Sequence, residues 1–284
     1  MTWGLIGLLI IIVNVAFSYK GFTNKTFFDG YKFQVDKILI SKDYKRLITS
    51  GFLHVGWTHL IFNMLSLYAF SGHLESSLGV IKFLIIYFAS LVGGNLFSLF
   101  VHRHHGDYNA VGASGAVCGI IFAFIALFPG AGIRFFGMPI SIPGWLYGIV
   151  YVLYSIYGIK SKQDNIGHDA HLGGALIGMA VAMLLEPAAF LENYITILVI
   201  AVPTIAIIYL ITTRPQILLV DNFFFKKHSD HYSIDHKYNE EKNNTQKEID
   251  AILDKISKRG MDSLSKKEKV ILKAYSQKSS QLSG

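Results

Sequence analysis

The sequence predicts an all-α polytopic membrane protein, a bundle of six membrane-spanning helices with a seventh appended. Composition is the first reason: 52% of the 284 residues are hydrophobic and 16% are charged, and the mean hydropathy is +0.41, too apolar for an ordinary soluble domain. Run length is the second. The apolar stretches are about 16 to 23 residues long, and a helix rising about 1.5 Å per residue needs about 20 residues to cross a hydrocarbon core. The third is pattern: the runs are continuous rather than alternating, which suits helices and not barrel strands of about 10 residues. The formal charge of +7 does not point to nucleic acid, because the basic residues lie in a loop and a tail beside membrane segments. Lipid headgroups are there the nearer acidic partner. Cys118 is the only cysteine, so no disulfide can form within the chain and the redox compartment is not readable.

Residues 1–186 read as the six-span core. The first span, 2–18, lacks the basic start and the small-residue cleavage site of a signal peptide and is expected to be retained. A loop over 19–56 follows, with Lys20, Lys25, Lys32, Lys37, Lys42, Lys45 and Arg46 among aromatic and aliphatic residues, parts of it suited to the membrane interface. The second span, 57–74, carries His59 and Asn63, and the third, 80–101, holds Gly93, Gly94 and Asn95. After a polar loop, 102–109, the fourth span runs from 112 to 128 with Ser114 at its start, and Pro129-Gly130 ends it. The fifth covers 142–159, and the sixth covers 167–185 with His171 near its beginning. The seventh span falls within 187–212, its apolar run being 194–211, with Pro203 tolerable in a bundle. Charged residues take over at Arg214: 213–247 reads as a linker and 248–284 as a short soluble helical hairpin. There Ile249, Ile252, Leu253 and Ile256 form one helix face, Gly260 can close it, and Ser265-Lys-Lys-Glu268 has the form of a capping box.

Ser114, in Gly112-Ala-Ser114-Gly115, and His171, in Ala170-His171-Leu-Gly-Gly174, carry the chemistry. An imidazole that reaches a serine hydroxyl can take its proton as the oxygen attacks a carbonyl. Acyl transfer also needs donors for the developing oxyanion. His59 and Asn63, four apart on one helix face, can supply them together with the Ser114 backbone N–H. The alternative role for that pair is interhelical hydrogen bonding. If the seven spans alternate, Ser114, His59 and His171 all lie at span ends on one side of the membrane. Gly112 and Gly115 leave room for a substrate backbone, and Gly174 and Gly178, on the His171 face, allow close helix approach.

These residues resemble the rhomboid family of intramembrane serine proteases over roughly residues 40–186. The motifs are Arg46-x-x-Thr49, Phe52-Leu53-His54, His59-Leu-Ile-Phe-Asn63-Met64, Gly112-Ala-Ser114-Gly115 and Ala170-His171-Leu-Gly-Gly174-x-x-x-Gly178. Each is weak alone; their order and their placement at span ends make the set specific. The resemblance implies a six-helix core with Ser114 as nucleophile, His171 as general base and acid, and His59 and Asn63 as oxyanion donors. It further implies substrates that are membrane proteins cleaved in or near a transmembrane helix, no cofactor and no metal. Glu75 resembles the acidic residue that ties down the first loop, and Arg46 the arginine within it. One departure is Cys118, where many rhomboids carry an aromatic that stacks on the histidine. Another is His168-Asp169, charged and placed either to hold a loop or to polarise His171.

Rival chemistries lack their residues. No His-Glu-x-x-His metal motif occurs, no aspartate pair lies inside the spans, and mid-span charges of the transporter kind are missing. The remaining alternative is an inactive rhomboid relative that binds membrane clients, although such proteins usually lose the serine or the histidine. The resemblance implies a bacterial cytoplasmic membrane with the active face outside, whereas the basic first loop and tail argue for the reverse orientation, so orientation stays open. Oligomeric state has no signature in the sequence.

Overall fold

The chain is all-α and polytopic. Its computed structural model describes residues 4–134, 141–161 and 167–213, together with Ile252, Lys255, Ile256, Ser265, Glu268 and Leu272 of the tail. Contacts divide the chain into two compact units, Met1–Val220 and Asp221–Gly284.

In the first unit α1, Leu5–Thr23, is longer than expected and packs on α5, Trp57–Leu78. Gly79, at φ +79°, turns the chain straight into α6, Val80–Val101. The stretch 19–56, expected as a loop, is instead built from α2 (Lys25–Tyr31), β1 (Phe33–Gln34), α3 (Val35–Leu39), α4 (Arg46–Thr49) and a 3₁₀ turn at Ser50–Phe52. Elements of two to seven residues are too short to leave a periodic signal. Their order comes from packing: Phe33, Val35, Ile38 and Leu47 form a small buried cluster of their own, and β1 pairs antiparallel with β2, Asn109–Ala110.

At the centre stands α7, Ser114–Leu127, in which every residue from Gly115 to Leu127 is buried. Its 14 residues rise only about 21 Å, less than a bilayer core. A helix apolar on every side suits this position, since the other helices and not lipid surround it. The Asn193 amide donates to the carbonyls of Ala126 and Leu127, two of the acceptors that the end of a helix leaves unpaired. After the hairpin of β3 (Gly132–Arg134) and β4 (Ser141–Pro143) come α8, Gly144–Ser161, and α9, His168–Leu185.

The last long helix, α10, runs over Pro187–Thr213 and so begins seven residues before the apolar run at Tyr194 suggested. Pro187 suits a first helical position, where no N–H is needed.

Among the described residues, four helical stretches are long and apolar enough to cross a membrane: Leu5–Thr23, Val80–Val101, His168–Leu185 and Pro187–Leu210. Large side chains on several helices, Phe62, Ile81, Leu184 and Leu191 among them, point outward. That is the surface a bilayer solvates.

In the second unit Ile252, Lys255, Ile256, Glu268 and Leu272 are helical, and Ile252 is buried. The capping box forms in both directions: the Glu268 N–H donates to Ser265 Oγ at 3.3 Å and the Ser265 N–H to the Glu268 carboxylate at 2.7 Å. Lys255 pairs with Glu268 at 2.9 Å, joining the two segments expected to make the hairpin. The expected linker, 213–247, lies outside the described residues apart from Thr213.

Candidate active site

Ser114 is the first residue of α7 and half-buried, while the twelve residues after Gly115 are enclosed. The turn that delivers it needs Gly112, at φ +137°, a conformation that side chains rarely adopt. The Gly112 N–H donates to the Ser50 carbonyl at 3.0 Å. The Ala113 N–H reaches His54 Nε2 at 3.5 Å. On its other side His54 Nδ1 lies 2.9 Å from Ser18 Oγ, and Ser18 donates its hydroxyl proton to the Phe52 carbonyl at 3.1 Å. That order leaves Nδ1 as the protonated nitrogen and Nε2 as acceptor. Burial, with His59 alongside, pushes the His54 pKa down to about 3, so this ring stays neutral.

The first turns of α5 bring His59 and Asn63 to the same place. A side-chain carbon at Gly112 would stand 2.8 Å from His59 Cε1, 3.0 Å from His59 Nε2 and 3.5 Å from Ser114 Oγ. The His59 ring and the serine hydroxyl therefore flank one point, open only because residue 112 is glycine. The His59 ring meets His54 edge-on at 4.9 Å, and its buried Nδ1 has no hydrogen-bond partner among the described residues. Asn63 is buried and donates one amide hydrogen to the His59 carbonyl at 2.9 Å, which leaves its second for another acceptor.

His171 comes from the first turn of α9, which packs on α7 with almost no side chain between the backbones. The Ala170 carbonyl lies 3.4 Å from the point a Gly115 side chain would occupy, and a Gly174 side chain would stand 2.7 Å from the Gly115 carbonyl carbon. One turn on, a Gly178 side chain would stand 2.6 Å from the Gly119 carbonyl carbon, and α6 joins through Gly94, against the Ala170 carbonyl and Gly174. The two helices run side by side with their starts level, which sets Ser114 beside Ala170-His171. Small residues make that approach possible.

The Nδ1 partner of His171 is Tyr151 of α8, whose Oη lies 2.9 Å away and also 2.8 Å from Cys118 Sγ. The sequence reading missed Tyr151, although Tyr147, Tyr151 and Tyr154 stand at i, i+4 and i+7 and so share a helix face. The Asp169 carboxylate lies 3.3 Å from His102 Nε2 in the loop after α6. The His102 ring stacks on Tyr108 at 3.6 Å. Asp169 therefore faces that loop.

Of the supporting residues, Arg46 acts within the first loop. Its Nη1 donates to the carbonyls of Asp29 and Lys32 at 2.9 and 2.7 Å, and its Nε to Asp43. Thr49, one turn on, donates to the Tyr31 carbonyl, so Arg46-x-x-Thr49 clamps the end of α2. Glu75 departs from expectation. Rather than tying down that loop, its carboxylate accepts from the N–H groups of Ile6 and Gly7 at 3.1 to 3.2 Å, capping the start of α1. At the far end of α5 from His59, it lies a helix length from the site, in the position where a helix N-terminus draws negative charge. Among the described residues no group of three His, Cys, Asp or Glu side chains could hold a metal ion.

Residues 41–188 match the Rhomboid domain, and residues 232–278 match a family of unknown function, DUF6576. Rhomboid protein 1, mitochondrial, of Saccharomyces cerevisiae is 32% identical over 165 residues, covering 56% of this chain and 48% of the yeast protein. The putative rhomboid protease YdcA of Bacillus subtilis is 41% identical over 88 residues, 30% of this chain and 43% of YdcA. Rhomboid protease AarA of Providencia stuartii is 27% identical over 214 residues, 67% of this chain and 75% of AarA. The chain spans about half the length of the first curated relatives it matches.

Proposed function

The chain belongs to the rhomboid family, and on that premise we propose that it is an intramembrane serine endopeptidase working through a Ser114–His171 dyad. The observation that carries the reading is the convergence at the start of α7: Ser114 Oγ and the His59 ring on either side of Gly112, with the first turn of α9 packed alongside. His171 Nε2 takes the hydroxyl proton as Ser114 Oγ attacks the scissile carbonyl carbon. The Ser114 N–H, the second amide hydrogen of Asn63 and His59 Nε2 hold the oxyanion. The start of α7 contributes its unpaired N–H groups and the positive end of its dipole. As the carbon–nitrogen bond breaks, the imidazolium gives the proton to the leaving amine. Water, deprotonated by the same ring, then hydrolyses the acyl-serine.

The substrates are membrane proteins cleaved in or near a transmembrane segment, since a nucleophile at the mouth of a bundle with lipid-facing helices meets other membrane-embedded chains first. The location we propose is a bacterial cytoplasmic membrane, the chain having relatives in Bacillus subtilis and Providencia stuartii beside mitochondrial ones.

The test is labelling of the purified, detergent-solubilised protein with a fluorophosphonate serine-hydrolase probe. Labelling that disappears in Ser114→Ala and His171→Ala, each still folded by thermal unfolding, is the expected result. A folded wild type that does not label would overturn the proposal in favour of a client-binding, inactive relative.

A further inference from the structure

Tyr151 lies outside every motif of the family resemblance, yet its hydroxyl lies 2.9 Å from His171 Nδ1. We propose that Tyr151 is a positioning residue that fixes His171 in the proton arrangement a general base needs, taking over from α8 the role that an aromatic at position 118 plays in many rhomboids. The inference rests on the dyad reading above.

The argument is one of proton inventory. A neutral imidazole has one N–H and one lone pair. If the Tyr151 hydroxyl donated to Nδ1, the ring proton would sit on Nε2, and the nitrogen needed by Ser114 would have no lone pair. If Tyr151 accepts from Nδ1–H, Nε2 carries the lone pair and Tyr151 must place its own proton elsewhere. Cys118 Sγ, 2.8 Å from Tyr151 Oη, is an acceptor at hand. The order His171 Nδ1–H to Tyr151, Tyr151 O–H to Cys118, also needs no rearrangement when the ring takes a second proton, because the imidazolium still donates through Nδ1. That bond becomes charge-assisted at the moment the transition state forms.

Packing explains why residue 118 is small. With Tyr151 Oη in contact with Cys118 Sγ, an aromatic ring at 118 would occupy the space the tyrosine fills. Tyr151 is itself held by Phe122, edge-on at 5.6 Å, and by Tyr147, stacked at 6.1 Å. His168 is a further titratable group near His171, ring to ring at 5.9 Å. The chain's departure from the family at position 118 and the tyrosine on α8 are thus one feature and not two.

The test uses the full-length protein in detergent. Ring-¹⁵N spectra of histidine-labelled protein, with the His171 signal identified by its loss in His171→Gln, are expected to place the neutral ring's proton on Nδ1 in the wild type. In Tyr151→Phe the proton is expected to move largely to Nε2. Fluorophosphonate labelling of that variant is expected to slow roughly ten- to a hundredfold, the worth of a hydrogen bond to a group that becomes charged. The loss should fall in the maximal labelling rate and not in the probe concentration at half-saturation. A wild-type ring protonated at Nε2, or a Tyr151→Phe protein that labels within twofold of wild type, overturns the proposal. The wild-type spectrum decides it even if the variant fails to fold. Failure of the dyad reading shows separately, as a wild type that does not label or labelling that survives Ser114→Ala.

Discussion

Replacing Gly174 by alanine should both destabilise the protein and silence the site, although the change favours a helix in isolation. Helix propensity alone would gain about 0.8 to 1 kcal/mol. Against this, the new carbon would stand 2.7 Å from the Gly115 carbonyl carbon and 3.0 Å from Gly115 Cα, where ordinary contact lies at 3.4 to 4 Å. Both obstacles are backbone inside a fully buried helix, so neither can rotate away. Relief requires α7 and α9 to separate by about 1 Å, at an overpacking cost of about 1 to 3 kcal/mol. The cost exceeds the propensity gain over most of that range. The same 1 Å opens the gap between Ser114 and His171, and a misplacement of that size costs about a hundredfold in rate. Thermal unfolding in detergent and the fluorophosphonate labelling rate read the two effects. Gly30→Ala is the control, since a side chain there meets nothing within 4 Å. A Gly174→Ala protein with wild-type midpoint and labelling rate would refute the close-packing argument.

Four further outcomes are expected. Asn63→Ala should slow labelling by about 10- to 1,000-fold, centred on the worth of one oxyanion donor; an unchanged rate would mean that Asn63 only braces the His59 carbonyl. Arg46→Lys should lower stability by about 2 kcal/mol, because a point charge cannot satisfy two carbonyls and a carboxylate that a planar fork now reaches; chemical denaturation measures it, and equal stability would contradict the clamp. His54 has its pKa lowered to about 3 in the folded protein, so unfolded chains bind more protons between there and the ordinary 6.5. Its contribution is complete above about pH 6.5 and is lost as pH falls toward 3, by at most about 1.4 kcal/mol per pH unit. His54→Asn should therefore flatten the acid side of a stability–pH profile, and an unaltered slope would count against the neutral buried ring. Glu75→Ala should raise hydrogen exchange at the first turn of α1 and leave 19–56 unchanged, the reverse of what a loop anchor would do.

The sequence by itself determined the class of protein and named the residues proposed for the site. Long apolar runs state that a chain crosses lipid, whatever its tertiary structure, because backbone groups in hydrocarbon must pair within the segment. Ser114, His59, Asn63 and His171 were legible because their spacing and their place at the starts of apolar runs are properties of the chain. The capping box at Ser265 and Glu268 was legible too, being a local exchange of hydrogen bonds within one turn. What only the tertiary structure decided is which distant groups meet. Glu75 caps a helix 68 residues away, Asp169 finds His102, and Tyr151 closes on His171 and Cys118. None of these pairs shares a helix turn, so no periodicity encodes them; they follow from how deep each helix sits and which face it turns inward. The first loop was opaque for a related reason. Its short helices and two-residue strand are held by Arg46, Thr49 and the buried Phe33 cluster, and long-range contacts leave no local pattern in the residues they order.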